Sequence, residues 1–274
     1  MRTNSGKTSA AAASDTAKRQ RERREFLLRY LLEENAQYRS IVIPASDAEQ
    51  RRLLRALLNV RLPGRASEEF LRIQNAYLTQ AARDRGIVRL SDLTPTHTGL
   101  YLWQGDITRL ACDAIVNAAN SGMTGCYVPN HACIDNCIHT FAGIQLRIAC
   151  AELMRAQGQE EPAGQAKLTP GYNLPARYVL HTVGPIVQGS VTPEDEALLS
   201  SCYRSCLESA EREGLNSIAF CCISTGIFHF PNRRAAQIAV ETATRYLSER
   251  HSEIKVIFNV FKDEDDAIYQ ELLR

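Results

Sequence analysis

Hydrophobic positions follow two different periods along the chain. From Glu22 to about Arg85 they recur at helical spacing. Phe26, Leu27, Tyr30 and Leu31 form one apolar face, Leu53, Leu54, Leu57 and Leu58 a second, and Phe70, Ile73, Tyr77, Leu78 and Ala81 a third. Ser46 and Glu49 make a capping box ahead of the second face, and Ser67 caps the third. Pro63 and Gly64 stop one helix and Gly86 the other.

After Thr94 and Pro95 the pattern changes. Short apolar runs of strand length lie at Leu100 to Gln104, Ala114 to Val116, Tyr178 to Val183, Ser217 to Ile223 and Lys255 to Phe261. Between and after them come helical patterns from about Asp135 to Gln157, Glu194 to Arg212, Arg233 to Arg250 and Glu264 to Leu273. Such alternation predicts an α/β fold, a largely parallel sheet with helices on both faces. The expected organisation is a disordered tail over residues 1–21, a helical extension over 22–94 and an α/β domain over 95–274.

Charge adds little. Basic and acidic residues number 32 and 31, so the whole chain offers no electrostatic case for nucleic acid. The basic residues that cluster are local: Lys18, Arg19, Arg21, Arg23 and Arg24. No apolar run approaches the ~20 residues that span a bilayer, so no membrane role is expected. Nine scattered cysteines, without a signal-peptide pattern, suit reduced thiols in the cytoplasm better than a disulfide framework. The Ala/Ser/Thr/Lys-rich start is expected to be a solvated tail, with a mitochondrial transit peptide as the alternative.

In a parallel sheet the chemistry sits in the loops leaving the strands at their carboxyl ends. The first such loop carries Gly105 and Asp106, whose carboxylate suits either an exocyclic amine such as that of adenine or the cap of the next turn. The fourth carries Ser224, Thr225, Gly226, Ile227, Phe228, His229, Phe230 and Pro231 just before a helix. Gly226 permits positive φ, so successive N–H groups can form an anion nest suited to a diphosphate. Phe228 and Phe230 either wall a sugar or base or pack in the core. His181 reads as a core histidine. Asn117 and Asn120, at the end of the second strand, can hydrogen-bond sugar hydroxyls.

The densest chemistry lies in Gly125–His139, GCYVPNHACIDNCIH. Cys126, His131 and Cys133 are the donor set of an open zinc site, with Asp135 placed to orient or deprotonate a water, or to cap the helix that follows. Spacing alone leaves two alternatives. In one the cysteines are buried small hydrophobes, and in the other Cys137 is a fourth ligand that closes a structural site.

These residues resemble the macrodomain family. Gly105-Asp106-Ile107-Thr108, the strand Ile115 to Asn120, His181 to Pro185, and Ser224-Thr225-Gly226 ahead of Phe230-Pro231 match its signature in order, from about Leu100 to the C-terminus. The metal segment resembles the family's zinc-containing branch, whose members also carry a helical N-terminal extension. The resemblance implies a three-layer α/β/α fold that binds ADP-ribose. It implies Asp106 and the Ile107 backbone at adenine, and Ser224, Thr225, Gly226, Ile227 and Phe228 around the diphosphate. Phe230 is placed against the distal ribose, Asn120 on its hydroxyls, and one Zn²⁺ per chain on Cys126, His131 and Cys133. The implied activity is hydrolysis of mono-ADP-ribose from protein side chains, with Asp135 and Asn120 as catalytic residues and a sirtuin-like transferase as system partner. A reader that binds ADP-ribose without cleaving it is the alternative. One departure stands out: the metal segment replaces the glycine run of ordinary macrodomains, and Ile134-Asp135-Asn136 stands where Val-Asp-Gly is expected.

Overall fold

The computed structural model of the chain describes residues 5–97 and 100–274. Three helices come first: α1 (Ser5–Glu34), α2 (Asp47–Val60) and α3 (Glu68–Asp84). Ser46 and Ser67 cap α2 and α3 as their spacing predicts, each accepting the N–H three residues on. Leu27, Leu28 and Leu31 of α1 meet Leu54, Leu57 and Leu58 of α2 and Phe70, Tyr77 and Leu78 of α3 in a core of their own. Residues 5–21, expected as tail, are instead the first turns of α1. Alanine has the highest helix propensity of any residue, and Gln20 is buried and donates to Tyr77 O at 3.0 Å. Residues 1–4 of that expected tail lie outside the described residues.

The chain then forms β1 (Val88–Arg89), β2 (Pro95–His97), β3 (Leu100–Gln104), β4 (Leu110–Ala111), β5 (Ala114–Ala118), α4 (Ile134–Ala142) and α5 (Ile144–Gln157). β6 (Ala166–Pro170), β7 (Tyr178–Thr182), α6 (Pro193–Arg212), β8 (Ser217–Phe220), α7 (Asn232–Arg250), β9 (Lys255–Val260) and α8 (Asp263–Leu272) complete it. The main sheet has the order β2-β3-β9-β8-β5-β7-β6. Its five central strands are parallel, and β2 and β6 run antiparallel at the edges. β1 and β4 pair separately.

Ile115, Val116, Val179, Leu180, Ile218, Ala219, Val256 and Ile257 are all fully buried, as central parallel strands with two covered faces require. α6, α7 and α8 pack beside one another, while α4 and α5 pack together with the helical extension outside them. The α/β/α layering is therefore the expected one. The single helix expected from Asp135 to Gln157 breaks at Gly143, whose φ is +94°; a Cβ there would lie 2.7 Å from Gln74 Nε2. No described helix is long and apolar enough to cross a membrane.

Candidate active site

The parallel strands all end on one side of the sheet, and that side collects the polar residues. Asp106 follows β3, Phe261 follows β9, Ser224 to Phe228 follow β8, Asn117 lies on β5 and Asn120 just beyond it.

Asp106 caps the single turn Ile107–Arg109: Oδ1 accepts from Thr108 N at 3.0 Å and from Thr108 Oγ1 at 2.6 Å. Arg85 Nη1, from the end of the helical extension, reaches Oδ2 at 2.8 Å. An acceptor position on Oδ2 is left for a ligand amine, so capping and ligand binding are compatible. The Ile107 side chain is in the main core, leaving its backbone for contact.

The loop after β8 folds tightly. Phe230 N donates to Ser224 O at 3.0 Å and His229 N to Gly226 O at 3.1 Å. Ser224 (φ +64°) and His229 (φ +59°) take left-handed conformations, which cost non-glycine residues energy. Among the described residues, the N–H groups of Gly226, Ile227 and Phe228 are not spent on backbone carbonyls, as the expected nest requires. Gly184, after β7, lets this loop approach: a Cβ there would lie 2.0 Å from Ser224 Oγ. Phe228 is half-buried, but Phe230 is 1% exposed within the main core. The expectation that Phe230 lies against a ligand is corrected accordingly. Its N–H is drawn back onto Ser224 O as Pro231 leads into α7, which turns the ring inward.

Asp135 lies in the first turn of α4, whose N-cap is Cys133 rather than Asp135. Asn117 Nδ2 donates to Asp135 Oδ1 at 2.8 Å, and Asn120 Nδ2 lies 3.4 Å from Oδ2 and 3.2 Å from Gly125 O. Burial pushes the Asp135 carboxyl up to about 6, against the opposing donation from Asn117. Asn117 is fully buried, so it orients Asp135; the expectation that it hydrogen-bonds a sugar hydroxyl is corrected accordingly. Its amide also lies 3.1 Å from His181 Nδ1. Burial pulls His181 down to about 3, so it is neutral. With Nδ1 accepting, the proton sits on Nε2 and is donated to Thr169 Oγ1 at 2.9 Å. His181 is a core histidine that fixes the rotamer of Asn117.

Cys126 Sγ lies 3.6 Å from His131 Nδ1, and the donor atoms of Cys126, His131 and Cys133 all fall within 4.8 Å of one another. Burial, with Cys126 and Asp135 adding to it, raises the Cys133 thiol well above its ordinary range. Two neighbouring sulfurs ionise together readily only around a cation, so the donor set fits a divalent metal. Cys137 does not join the group; its sulfur takes a hydrogen bond from Arg55 Nη2 at 3.4 Å. His139, Cys150 and His181 form a second, buried group of possible donors. The His181 Nδ1 lone pair there already accepts from Asn117, and its Nε2 proton points to Thr169.

Three contributors escaped the sequence: Arg85, Arg55 and Phe261. Phe261 is 76% exposed directly after β9, beside the Gly105–Asp106 turn, where Gly105 N donates to Val260 O at 2.9 Å. A solvent-facing aromatic at a strand end was the available signal, but the pairing of β9 with β3 is not readable from local pattern.

The Macro domain family pattern matches residues 116–239. A Treponema medium protein named protein-ADP-ribose hydrolase is 56% identical over 259 residues, covering 93% of this chain and 99% of its own. A Staphylococcus aureus protein of the same name is 48% identical, covering 94% and 97%. The crystal structure of a Trypanosoma brucei macrodomain in complex with ADP-ribose superposes with a TM-score of 0.64 at 29% identity, covering 84% of this chain and 97% of that one. With identity this high over nearly the full length of such relatives, the chain belongs to the macro domain family.

Proposed function

We propose that this protein hydrolyses the bond joining mono-ADP-ribose to a protein side chain and releases ADP-ribose. The carrying observation is the order of groups across the sheet. From β3 through β9 and β8 to β5 come an amine acceptor (Asp106), an exposed aromatic (Phe261), an N–H nest (Gly226 to Phe228) and a carboxylate held by amides (Asp135 with Asn117 and Asn120). Three strand spacings of ~4.8 Å separate the first from the last, about 14 Å, a span suited to adenine, diphosphate and a second ribose laid in that order. The relatives named protein-ADP-ribose hydrolase support the activity, and the ADP-ribose complex of the Trypanosoma macrodomain supports the ligand.

In this reading Asp106 accepts from the adenine amine and Phe261 stacks on the base. The nest after β8 holds the diphosphate, and its preset, strained backbone needs no reorganisation on binding. Asn120 orients the distal ribose, and Asp135 receives the proton of the attacking water. Hydrolysis consumes one water: its hydroxyl goes to one fragment and its proton to the other.

Cys126, His131 and Cys133 are the residues that would hold one zinc ion, which when bound would supply a Lewis acid to the reaction. Membership of the zinc-containing branch, and a sirtuin-like transferase that writes the mark this chain removes, belong to the same proposal. Turnover on a panel of defined ADP-ribosyl linkages, with and without chelator, tests it. Tight ADP-ribose binding with no release from any linkage would make the protein a reader instead.

A further inference from the structure

We propose that helix α2 of the extension is the outer support of the metal loop, with Arg55 and Asn59 as its positioning residues. This rests on the reading of Cys126, His131 and Cys133 as metal ligands. The segment from Ser121 to Cys133 contains no helix or strand, so its backbone groups have no ladder of their own, and beyond the bonds Met123 N to Asn120 O, His131 N to Val128 O and Glu161 N to Ser121 O they rely on side-chain partners. Five side chains meet that need, those of Arg55, Asn59, Asn120, Asn136 and Arg147, and the first two come from α2.

Arg55 Nη2 donates to His131 O at 2.7 Å, the carbonyl of a ligand residue, and to Asn136 Oδ1 at 2.9 Å. Asn136, fully buried, passes the constraint on: its Nδ2 lies 3.0 Å from Val128 O and 3.4 Å from Cys126 O. Asn59, 1% exposed, accepts from Asn130 N at 3.0 Å and donates to Thr140 Oγ1 at 2.9 Å. Asn130 has a φ of +56°, a left-handed conformation that asparagine tolerates and that forms part of the bend between Cys126 and His131. Arg147 completes the frame. It donates to Thr124 O at 2.7 Å and clamps the last turn of α2 through Leu58 O, Asn59 O and Arg61 O at 3.1, 2.7 and 2.7 Å.

The ligand loop is thus fixed to α2 on one side and to α4 and α5 on the other. A guanidinium at position 55 suits this task because its rigid fork addresses two acceptors at once, which a lysine ammonium on a flexible stem does not. Partners that orient ligands from outside the coordination sphere set metal affinity by about 10- to 100-fold. The extension is therefore part of the reaction centre although it contributes no ligand to it.

The test is zinc affinity and release rate for the full chain, measured by competition with a chromophoric chelator, together with the visible spectrum of the cobalt-loaded protein. Arg55→Met should weaken zinc binding about 10- to 100-fold, speed its release and broaden the cobalt bands, with the melting temperature of the metal-free protein little changed. Arg55→Lys, which keeps charge and stem, should recover only part of the affinity and guards against a Met variant that folds poorly. Arg52→Ala, on the exposed face of α2, should leave affinity unchanged. Wild-type affinity and spectrum in both Arg55 variants would overturn the inference while leaving the metal reading intact. A wild-type protein that takes up no zinc or cobalt would overturn both, and the two failures are told apart by the wild-type measurement alone.

Discussion

Arg85 Nη1 lies 2.8 Å from Asp106 Oδ2, so the carboxylate proposed to read adenine is gripped by the residue that caps the C-terminus of α3 in the helical extension. The same nitrogen donates to Thr108 Oγ1 at 2.9 Å, and the guanidinium stacks 3.6 Å from the centroid of the Phe141 ring. With Thr108 holding Oδ1, the carboxylate is set by donors on both oxygens. Its free acceptor position points in one fixed direction.

Removing Arg85 should therefore loosen adenine recognition. Arg85→Ala is expected to weaken ADP-ribose binding by about 5- to 20-fold in calorimetry, the scale of one or two charge-assisted hydrogen bonds. The loss should be smaller for the analogue whose base carries a 6-oxo group in place of the amine. Equal losses for both ligands would assign Arg85 a purely structural part.

Asp135 is the group asked to accept a proton. Asp135→Ala should lower kcat by about 100- to 10,000-fold while ADP-ribose still binds. Asn117→Ala, which removes the buried donor to Asp135 without touching ligand, should lower kcat with little change in KM. Turnover near the wild-type rate in the Asp135 variant would sink the assignment.

The metal trio carries its own expectation. Chelation or Cys126→Ala should reduce turnover by about 100-fold or more, the scale of one strong electrostatic contact to the reacting bond. The cobalt-substituted protein should show the charge-transfer intensity of two thiolates. Three would place Cys137 in the coordination sphere, against its hydrogen bond from Arg55.

His181 makes stability depend on acid. It is neutral when folded, with its pKa pulled to about 3, and close to 6.5 when unfolded. Between those values the unfolded chain binds more protons, so the contribution is full above about pH 6.5 and is lost as pH falls towards 3. From pH 7 to pH 5 the histidine's own share of the loss is about 2 kcal/mol. Urea denaturation at the two pH values should show a drop smaller by that amount in His181→Asn than in the wild type. Parallel pH dependences would refute this.

Two phenylalanines should behave oppositely. Phe230→Ala opens a core cavity and should cost about 3–5 kcal/mol of stability. Phe261→Ala removes an exposed ring and should leave stability near wild type while weakening ADP-ribose binding about 5- to 20-fold, the scale of one base–aromatic stack. Thermal melting and calorimetry on both variants would decide it.

Sequence by itself determined the elements and which polar residues and sulfurs stand in the loops. Periodicity and caps are local properties, so the extension, the five central strands and the helices after them were legible from spacing. Asp106, the glycine-bearing loop after β8 and the Cys126–Cys133 donors were legible too, because each motif lies within a few residues. The antiparallel edge strands β2 and β6 were not, being short and only partly apolar.

Tertiary structure decided which of those groups meet. The order β3-β9-β8-β5 brings Phe261 to Asp106 and sets the loop after β8 between Asp106 and Asp135. It turned Phe230 inward and made Asn117 a partner of Asp135 and His181. It also made the extension part of the site, since Arg85 reaches Asp106 across 21 residues of sequence and Arg55 reaches His131 across 76. Such pairings arise from the packing of whole helices and strands, and no local pattern of residues encodes where two distant elements will touch.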